Sequence, residues 1–218
     1  MNHLIKKLIV LTGFMTSLTA FSSAKADVLY DNGPVNGTVS AWTIDTYSVA
    51  DTFTLTSQST LTGLNFSLWN FAGDATTAVD WTILSSLSGP LLGSPLASGI
   101  QAPVTQTPDF INSYGYAINN DSIALPNISL AAGTYWIELQ NAANTSGNVA
   151  YWDMNGGPST VWENQLGYNP TGYGGDLRNA SNTFQIIGSG SSVPEPASIL
   201  LLAIGMIGLA SLRKTRIH

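Results

Sequence analysis

Carboxylates are the side chains of the central region, residues 27–187, that could serve a reaction or bind a cation. This region has one basic residue, Arg178, against twelve acidic ones, and it has no histidine, cysteine or lysine. Without an imidazole, a thiol or an amine, the sequence excludes nucleophilic triads, ordinary zinc sites and Schiff-base chemistry. Glycoside hydrolysis by paired carboxylates and cation binding by oxygen ligands remain.

Three carboxylates are candidates for hydrolysis: Glu138, Glu163 and Asp153. Two such groups on adjacent strands could flank a glycosidic bond, one of them acting as the acid. Glu138, however, occupies a polar position of an alternating segment, which favours a solvated surface. We therefore assign no catalytic residue and expect a protein that is not an enzyme. A carboxylate-dependent glycoside hydrolase or lyase is the alternative.

Oxygen-bearing side chains near the start of the region are candidates for a calcium site. Asp27, Asp31 and Asn32 lie close together, and Asp153 and Asn155 form a second group. Ca²⁺ prefers such ligands, but neither EF-hand spacing nor a nonapeptide repeat is present. We expect no cofactor and assign no firm metal site, with Ca²⁺ as the one candidate ion and solubility as the other explanation of these acids.

Aromatic residues are concentrated in the central region, which holds all six tryptophans and all eight tyrosines. Tyr135-Trp136 and Tyr151-Trp152 are adjacent pairs, and neighbours in a strand point to opposite faces. If the tyrosines face the core, the tryptophans lie on the other face. Flat aromatic rings beside Asp153 suit the C–H faces and hydroxyls of sugars. We therefore predict carbohydrate binding by Trp136, Trp152 and Asp153, with simple core packing as the alternative.

Alternation with period two dominates the elements that must position these residues. It is clearest around Leu64-Phe66-Leu68, Val79-Trp81-Ile83 and Tyr135-Ile137-Leu139. Turn-forming clusters separate the segments, and no apolar stripe of helical period is present. The pattern predicts an antiparallel β-sandwich, jelly-roll-like, over 27–187. The absence of an internal repeat counts against a β-helix with repeated threonine rungs.

The N-terminal residues 1–26 have the three parts of a secretory signal peptide. Lys6 and Lys7 precede an apolar run over 8–21, and the small-residue triplet Ala24-Lys25-Ala26 follows. We predict an N-terminal signal helix with cleavage after Ala26, so that the exported chain begins at Asp27.

The C-terminal residues have a second processing pattern. A Gly/Ser linker over 188–192 leads to Val193-Pro194-Glu195-Pro196 and then to an uncharged apolar run over 197–212. Three basic residues follow in the tail 213–218: Arg213, Lys214 and Arg216. The run predicts a single membrane-spanning helix, a little short for a hydrocarbon core of about 30 Å. The basic residues act as a membrane stop that stays on the cytoplasmic side.

Residues 193–218 together resemble the PEP-CTERM sorting signal of Gram-negative bacteria. The resemblance implies processing by an exosortase, a membrane protease-transpeptidase that cuts near the motif. It implies an inner-membrane intermediate, held by the C-terminal helix, followed by location at the cell surface or outside the cell. The same tail is also known from some ice-binding proteins, so it indicates how the cargo travels rather than what the cargo does.

The expected function combines the tail with the acidic, aromatic-rich module. We predict an exported, non-enzymatic surface or matrix protein that binds polysaccharide in a biofilm or exopolysaccharide. A structural or ice-adhering coat protein is a further alternative to the hydrolase. Nucleic acid is excluded as a partner, because the exported region has no basic patch to displace counterions.

Overall fold

Fourteen β-strands make up all regular secondary structure in the part of the chain that the structure describes. The structure is a computed structural model and describes residues 26–38, 40–45, 47–86, 92–165, 176–178 and 181–190. The strands are β1 (Asp27–Asp31), β2 (Ser40–Thr43), β3 (Tyr47–Leu55), β4 (Ser59–Phe71), β5 (Thr76–Ser86), β6 (Leu92–Pro103), β7 (Thr105–Ile111), β8 (Tyr116–Leu130), β9 (Gly133–Asn144), β10 (Tyr151–Asn155), β11 (Val161–Gln165), β12 (Asp176–Arg178), β13 (Ser181–Asn182) and β14 (Phe184–Gly190).

These strands form two antiparallel sheets. In the eight-stranded sheet β4 is central, because β8 pairs along one edge while β14 and β10 share the other. Strands β1, β2, β7 and β13 complete this sheet. The six-stranded sheet has the order β12-β11-β3-β9-β5-β6. The prediction of an all-β module is therefore confirmed, while the jelly-roll connection stays a prediction.

One apolar core takes side chains from both sheets, and we call the side of each sheet that contributes to it the inner face. The alternating residues of β4, Leu64, Phe66 and Leu68, are buried in this core. Val79, Trp81 and Ile83 of β5 belong to the same core. Because side chains alternate along a strand, the residues between them lie on the outer face.

Strand β10 is oriented opposite to the sequence prediction. Ala150 and Trp152 are fully buried in the core, so Tyr151 lies on the outer face. Trp152 is fixed there because it is opposite Leu68 and donates its indole N–H to the carbonyl of Thr183 at 2.9 Å. Truncating a buried tryptophan to alanine typically costs about 3–5 kcal/mol, so this packing helps to fix the face that β10 turns inward.

Strands β6, β7 and β8 lie in a segment where the alternation identified no strand. Pro95 and Pro103 stand in β6, and Pro108 stands in β7. Each of these two strands pairs with a single neighbour, and proline is tolerated at such edges because no ladder hydrogen bond is lost there. The prolines therefore mark edge strands here.

The predicted signal helix and the predicted membrane helix over 197–212 lie outside the described residues. Within the described part, no helix is long and apolar enough to cross a membrane.

Candidate functional site

The outer face of the eight-stranded sheet carries two concavities and a loop that crosses between them. On β4 this face presents Asn65, Ser67 and Trp69, which alternate with the core residues Leu64, Phe66 and Leu68. The register places Ser122, Asn120 and Ile118 of β8 opposite these three in the same order. We call residues 33–38, the connection from β1 towards β2, the strap.

Asp153 of β10 holds the strap against the sheet. Its carboxylate accepts the backbone N–H groups of Asn36 and Gly37 at 2.9 and 2.8 Å. It also accepts the indole N–H of Trp69 at 2.6 Å and the hydroxyl of Thr183 at 2.7 Å. Both oxygens of the Asp153 carboxylate accept hydrogen bonds, and hydrogen bonds to carboxylates are among the strongest in proteins. The role of Asp153 is therefore structural.

Gly37 is the point where the backbone of the strap packs against the side chains of Phe110 and Ile118. Its φ of +67° lies in the left-handed region, and a Cβ atom there would stand 2.7 Å from the Phe110 ring and 3.3 Å from Ile118. Asn112 also donates its side-chain N–H to the Gly37 carbonyl at 3.0 Å. Only glycine combines this backbone conformation with so close an approach.

The sequence prediction that Trp136, Trp152 and Asp153 form an exposed sugar-binding surface is wrong as to their placement. Trp152 and Asp153 have 0% of their surface exposed, and Trp136 has 1%. Trp152 is in the core, the strap covers Asp153, and Trp136 packs with Trp162 on the outer face of the other sheet. None of the three presents a free face to a ligand.

A different aromatic group forms the first concavity, which we call the aromatic concavity. Its volume is about 340 Å³. Its lining is Trp69, Tyr114, Tyr116, Tyr151, Ser40 and Ala41. It lies on the outer face, where Tyr151 is opposite Trp69. The Tyr151-Trp152 pair is recognisable in the sequence, but the predicted orientation, with Tyr151 in the core, is wrong.

The rings of this concavity pack closely but leave one surface open. Tyr114 stacks on Trp69 with centroids 6.0 Å apart and an interplanar angle of 20°. Tyr116 packs against Trp69 and edge-on against Tyr151, at 5.8 and 5.6 Å. Tyr114 is 65% exposed, and Phe71 beside Tyr116 is also exposed. Aromatic residues with an apolar body and a polar tip are typical of binding surfaces.

The hydroxyl group of Tyr151 in the aromatic concavity remains a protonated donor at neutral pH. Burial raises the pKa of Tyr151 above its ordinary value of 10.0, and the neighbouring Tyr116 adds to the shift. A protonated phenol can both donate and accept a hydrogen bond. The concavity therefore combines flat rings with groups that pair with hydroxyls.

The second concavity, which we call the amide concavity, lies on the same outer face and also has a volume of about 340 Å³. Its lining includes Asn65, Ser67, Thr107, Asn120, Ser122 and Gln185. Within it Asn65 donates to Gln185 at 3.3 Å, and Ser67 donates to Asn120 at 3.2 Å. Residues 33–35 of the strap form one wall. The sequence does not indicate this site, because single amide and hydroxyl side chains on an outer face are typical of ordinary protein surface.

The calcium candidates near the N-terminus are used in other contacts. Asn32 is fully buried and its side-chain N–H₂ donates to Ser159, Ser181 and the carbonyl of Asn182. Its side-chain oxygen accepts the Tyr30 hydroxyl at 2.9 Å. Among the described residues, no group of three or more acidic, histidine or cysteine side chains is arranged to hold a metal ion.

Asp31, another of these candidates, accepts the Gly33 N–H and the Gln185 side-chain N–H, both at 2.9 Å. Asp27 is exposed at the first position of β1. Calcium binding by Asp27, Asp31 and Asn32 stays a prediction.

The three hydrolase candidates lie on different surfaces. Glu138 is on the outer face of β9, where burial raises its pKa and a hydrogen bond from Ser48 partly opposes the shift. Glu163 lies two residues after the core residue Val161 in β11, so it is on the inner face of that sheet. Asp153 belongs to the other sheet. The fold does not bring these carboxylates together as a pair.

The C-terminal residues match a known family model. The PEP-CTERM protein-sorting motif matches residues 192–214, and no curated protein matches the chain. The match includes the whole of Val193-Pro194-Glu195-Pro196 and two of the three basic stop residues, Arg213 and Lys214, while Arg216 follows it.

The class of protein follows from the fold and the tail together: an all-β module joined to a sorting signal. The chain carries a PEP-CTERM sorting motif, which implies an exported protein sorted by an exosortase. The motif indicates transient anchoring at the membrane and then location at the cell surface or outside the cell. The signal-peptide site at Ala24 and Ala26 stays a prediction.

Proposed function

We propose that the exported module is a non-enzymatic surface protein that binds polysaccharide through the aromatic concavity. The observation that carries the proposal is the cluster of Trp69, Tyr114, Tyr116 and Tyr151 on one outer sheet face, with Tyr114 largely open to solvent. Sugar rings offer C–H faces that stack on aromatic rings and hydroxyls that pair with phenols.

The aromatic concavity is rigid, because the side chain of Trp69 is held in place. Its indole N–H is bound to Asp153, which is itself fixed by the strap and by Thr183. Tyr114 is presented by a tight turn in which Asn112 accepts the N–H groups of Tyr114 and Tyr116, both at 3.0 Å. A preorganised site loses less entropy when a ligand binds.

The size and location also fit a polysaccharide better than a small metabolite. The aromatic concavity is shallow and open at the surface, and its exposed rings continue to Phe71. Apolar surface that remains exposed on a soluble module is typical of interaction sites. The sorting motif implies that the module is exported to the cell exterior, where it could meet polysaccharide.

Affinity gel electrophoresis tests the proposal with the full-length chain in a polyoxyethylene detergent, which has no sugar headgroup. The gels contain xylan, galactomannan, mixed-linkage glucan or dextran. We expect at least one of these to retard the chain. Tyr114→Ala should weaken that retardation about tenfold, on the basis that a sugar ring stacks about as strongly as a nucleobase, for which stacking on an aromatic side chain is worth roughly 1–3 kcal/mol.

Two matched variants separate stacking from other effects. Tyr114→Phe keeps the ring and should bind within about threefold of the parent chain. Ile100→Ala removes an apolar side chain that is 81% exposed on β6 of the other sheet, and it should bind like the parent chain. The absence of retardation by every polysaccharide, or equal binding by Tyr114→Ala, would overturn the proposal.

A further inference from the structure

The two concavities lie in line along the same strands. Passing along β8 on the outer face, one meets Ser122 and Asn120 in the amide concavity, then Ile118, then Tyr116 in the aromatic concavity. Along β4 the same order is Asn65, Ser67 and then Trp69. Four residues at about 3.3 Å each place Asn120 roughly 13 Å from Tyr116 along the strand.

The strap crosses the face between the two concavities. Gly37 packs on Ile118 and Phe110, and the backbone N–H groups of Asn36 and Gly37 donate to the Asp153 carboxylate. The first half of the strap forms a wall of the amide concavity, and Ser40 and Ala41 just beyond it line the aromatic one. A ligand that fills both concavities must therefore pass over a fixed ridge.

The amide concavity has the chemistry of a polyol site. Each amide side chain offers two donors and an acceptor with two lone pairs, so the internal pairs Asn65–Gln185 and Ser67–Asn120 leave bonding capacity unused. Asn120 also donates to Asp109 at 3.2 Å, and Gln185 donates to Asp31 at 2.9 Å. The site is thus flanked by carboxylates, and no basic residue occurs in the described strands of this sheet.

We infer that the amide concavity is a second subsite for the same polysaccharide chain, which is uncharged and spans the strap. This inference rests on the proposed function, because the aromatic concavity is the first subsite. One sugar ring cannot reach both concavities, whereas an oligosaccharide can. The carboxylates at Asp31 and Asp109 disfavour polymers of uronic acids or sulfated sugars, because like charges repel.

A length series tests the two-subsite arrangement. Gluco- and manno-oligosaccharides from disaccharide to hexasaccharide are titrated into the full-length chain by calorimetry. We expect affinity to rise about tenfold or more between the shortest and longest ligands that bind. The double variant Asn65→Ala/Asn120→Ala should abolish this rise while leaving disaccharide binding unchanged. Thr54→Ala/Thr134→Ala, an exposed hydrogen-bonded pair on the other sheet, is the control.

The outcomes separate the inference from the proposed function. If the hexasaccharide binds and Tyr114→Ala weakens it, but Asn65→Ala/Asn120→Ala does not, the aromatic site stands and the second subsite is overturned. If no oligosaccharide or polysaccharide binds, both fail. An affinity that does not depend on ligand length would also overturn the second subsite.

A matched pair of polymers tests the charge selectivity. We expect the retained neutral polysaccharide to bind about tenfold more tightly than its carboxymethylated form at low salt, with the difference shrinking as salt screens the repulsion. Equal or tighter binding of the carboxymethylated polymer at low salt would overturn the choice of an uncharged ligand.

Discussion

At the scale of single residues, two buried aspartates show how environment decides the role of a carboxylate. Asp153 receives two backbone and two side-chain hydrogen bonds, so its burial is compensated. Asp121, on the inner face of β8, is 2% exposed, and neither of its oxygens has a hydrogen-bond partner. Gln106 and the Leu68 backbone lie near enough to oppose its pKa shift, but not with hydrogen-bond geometry.

Burial raises the pKa of Asp121 from 3.8 to about 7. The folded chain therefore binds more protons at this site than the unfolded chain between these two values. Stability contributed by the protonated form is fully present below pH 3.8 and is lost as pH rises through about 7. Asp51, whose pKa burial also raises to about 7, acts in the same direction.

We expect Asp121→Asn to stabilise the module at pH 8 by roughly 2 kcal/mol and to flatten the fall in stability between pH 4 and pH 7. The amide has a similar shape and no charge to desolvate. Urea unfolding followed by tryptophan fluorescence across this pH range measures the effect. Asp27→Asn, which removes an exposed carboxylate of β1, should leave the profile unchanged. An undiminished pH slope in Asp121→Asn would contradict this account.

At the scale of elements, the strap decides what the eight-stranded sheet presents to solvent. It covers Asp153 and Ile118, two residues that would otherwise be exposed on the outer face. It is also why one sheet face contains two separate concavities. The contact depends on a glycine at the crossing point, which gives a direct test.

We expect Gly37→Ala to destabilise the module by roughly 2–3 kcal/mol. The added Cβ atom would overlap the Phe110 ring, and the alanine backbone would have to adopt a strained positive φ. Gly147→Ala is the matched control: its φ of +71° is similar, but nothing lies within 4 Å of the added atom. The control should cost only about 1 kcal/mol of backbone strain. Chemical denaturation of both variants measures the difference, and equal costs would show that the strap does not pack as described.

Strand patterns explain how much of the fold the sequence predicts. Where one face is apolar and the other polar, as in Leu64-Asn65-Phe66-Ser67-Leu68, the alternation identified the inner face correctly. In β10 and the residues before it, Val149, Ala150, Tyr151 and Trp152 are all apolar or aromatic. Such a segment fits either orientation, so pairing with β4 and β2 decides its parity.

At the scale of the whole molecule, the charges are divided unevenly between the two ends and the central region. Six of the seven basic residues lie in the terminal segments, and one, Arg178, lies in the module. The sorting motif over 192–214 implies export and sorting by an exosortase. The central region, residues 27–187, is therefore strongly acidic, which agrees with the proposal that its partner is an uncharged rather than an anionic polymer.

We expect replacement of Pro194, Glu195 and Pro196 by alanine to hold the protein in the membrane fraction, because the exosortase would no longer recognise its substrate. Immunoblots of membrane and medium from a strain that contains an exosortase measure the distribution. Pro158→Ala, in an exposed loop of the module, should be released normally. Normal release of the triple variant would contradict the sorting role of this motif.

The sorting motif, the all-β class and the absence of histidine, cysteine and lysine from residues 27–187 can all be recognised from the sequence. They follow from a contiguous motif, local periodicity and composition, all of which are readable along the chain. Which aromatic residues reach solvent, by contrast, depends on tertiary packing. That outcome depends on the register between β4, β8 and β10 and on the strap from a distant part of the chain. The structure therefore replaced Trp136 and Trp152 with Tyr114, Tyr116 and Tyr151 as the candidate binding surface.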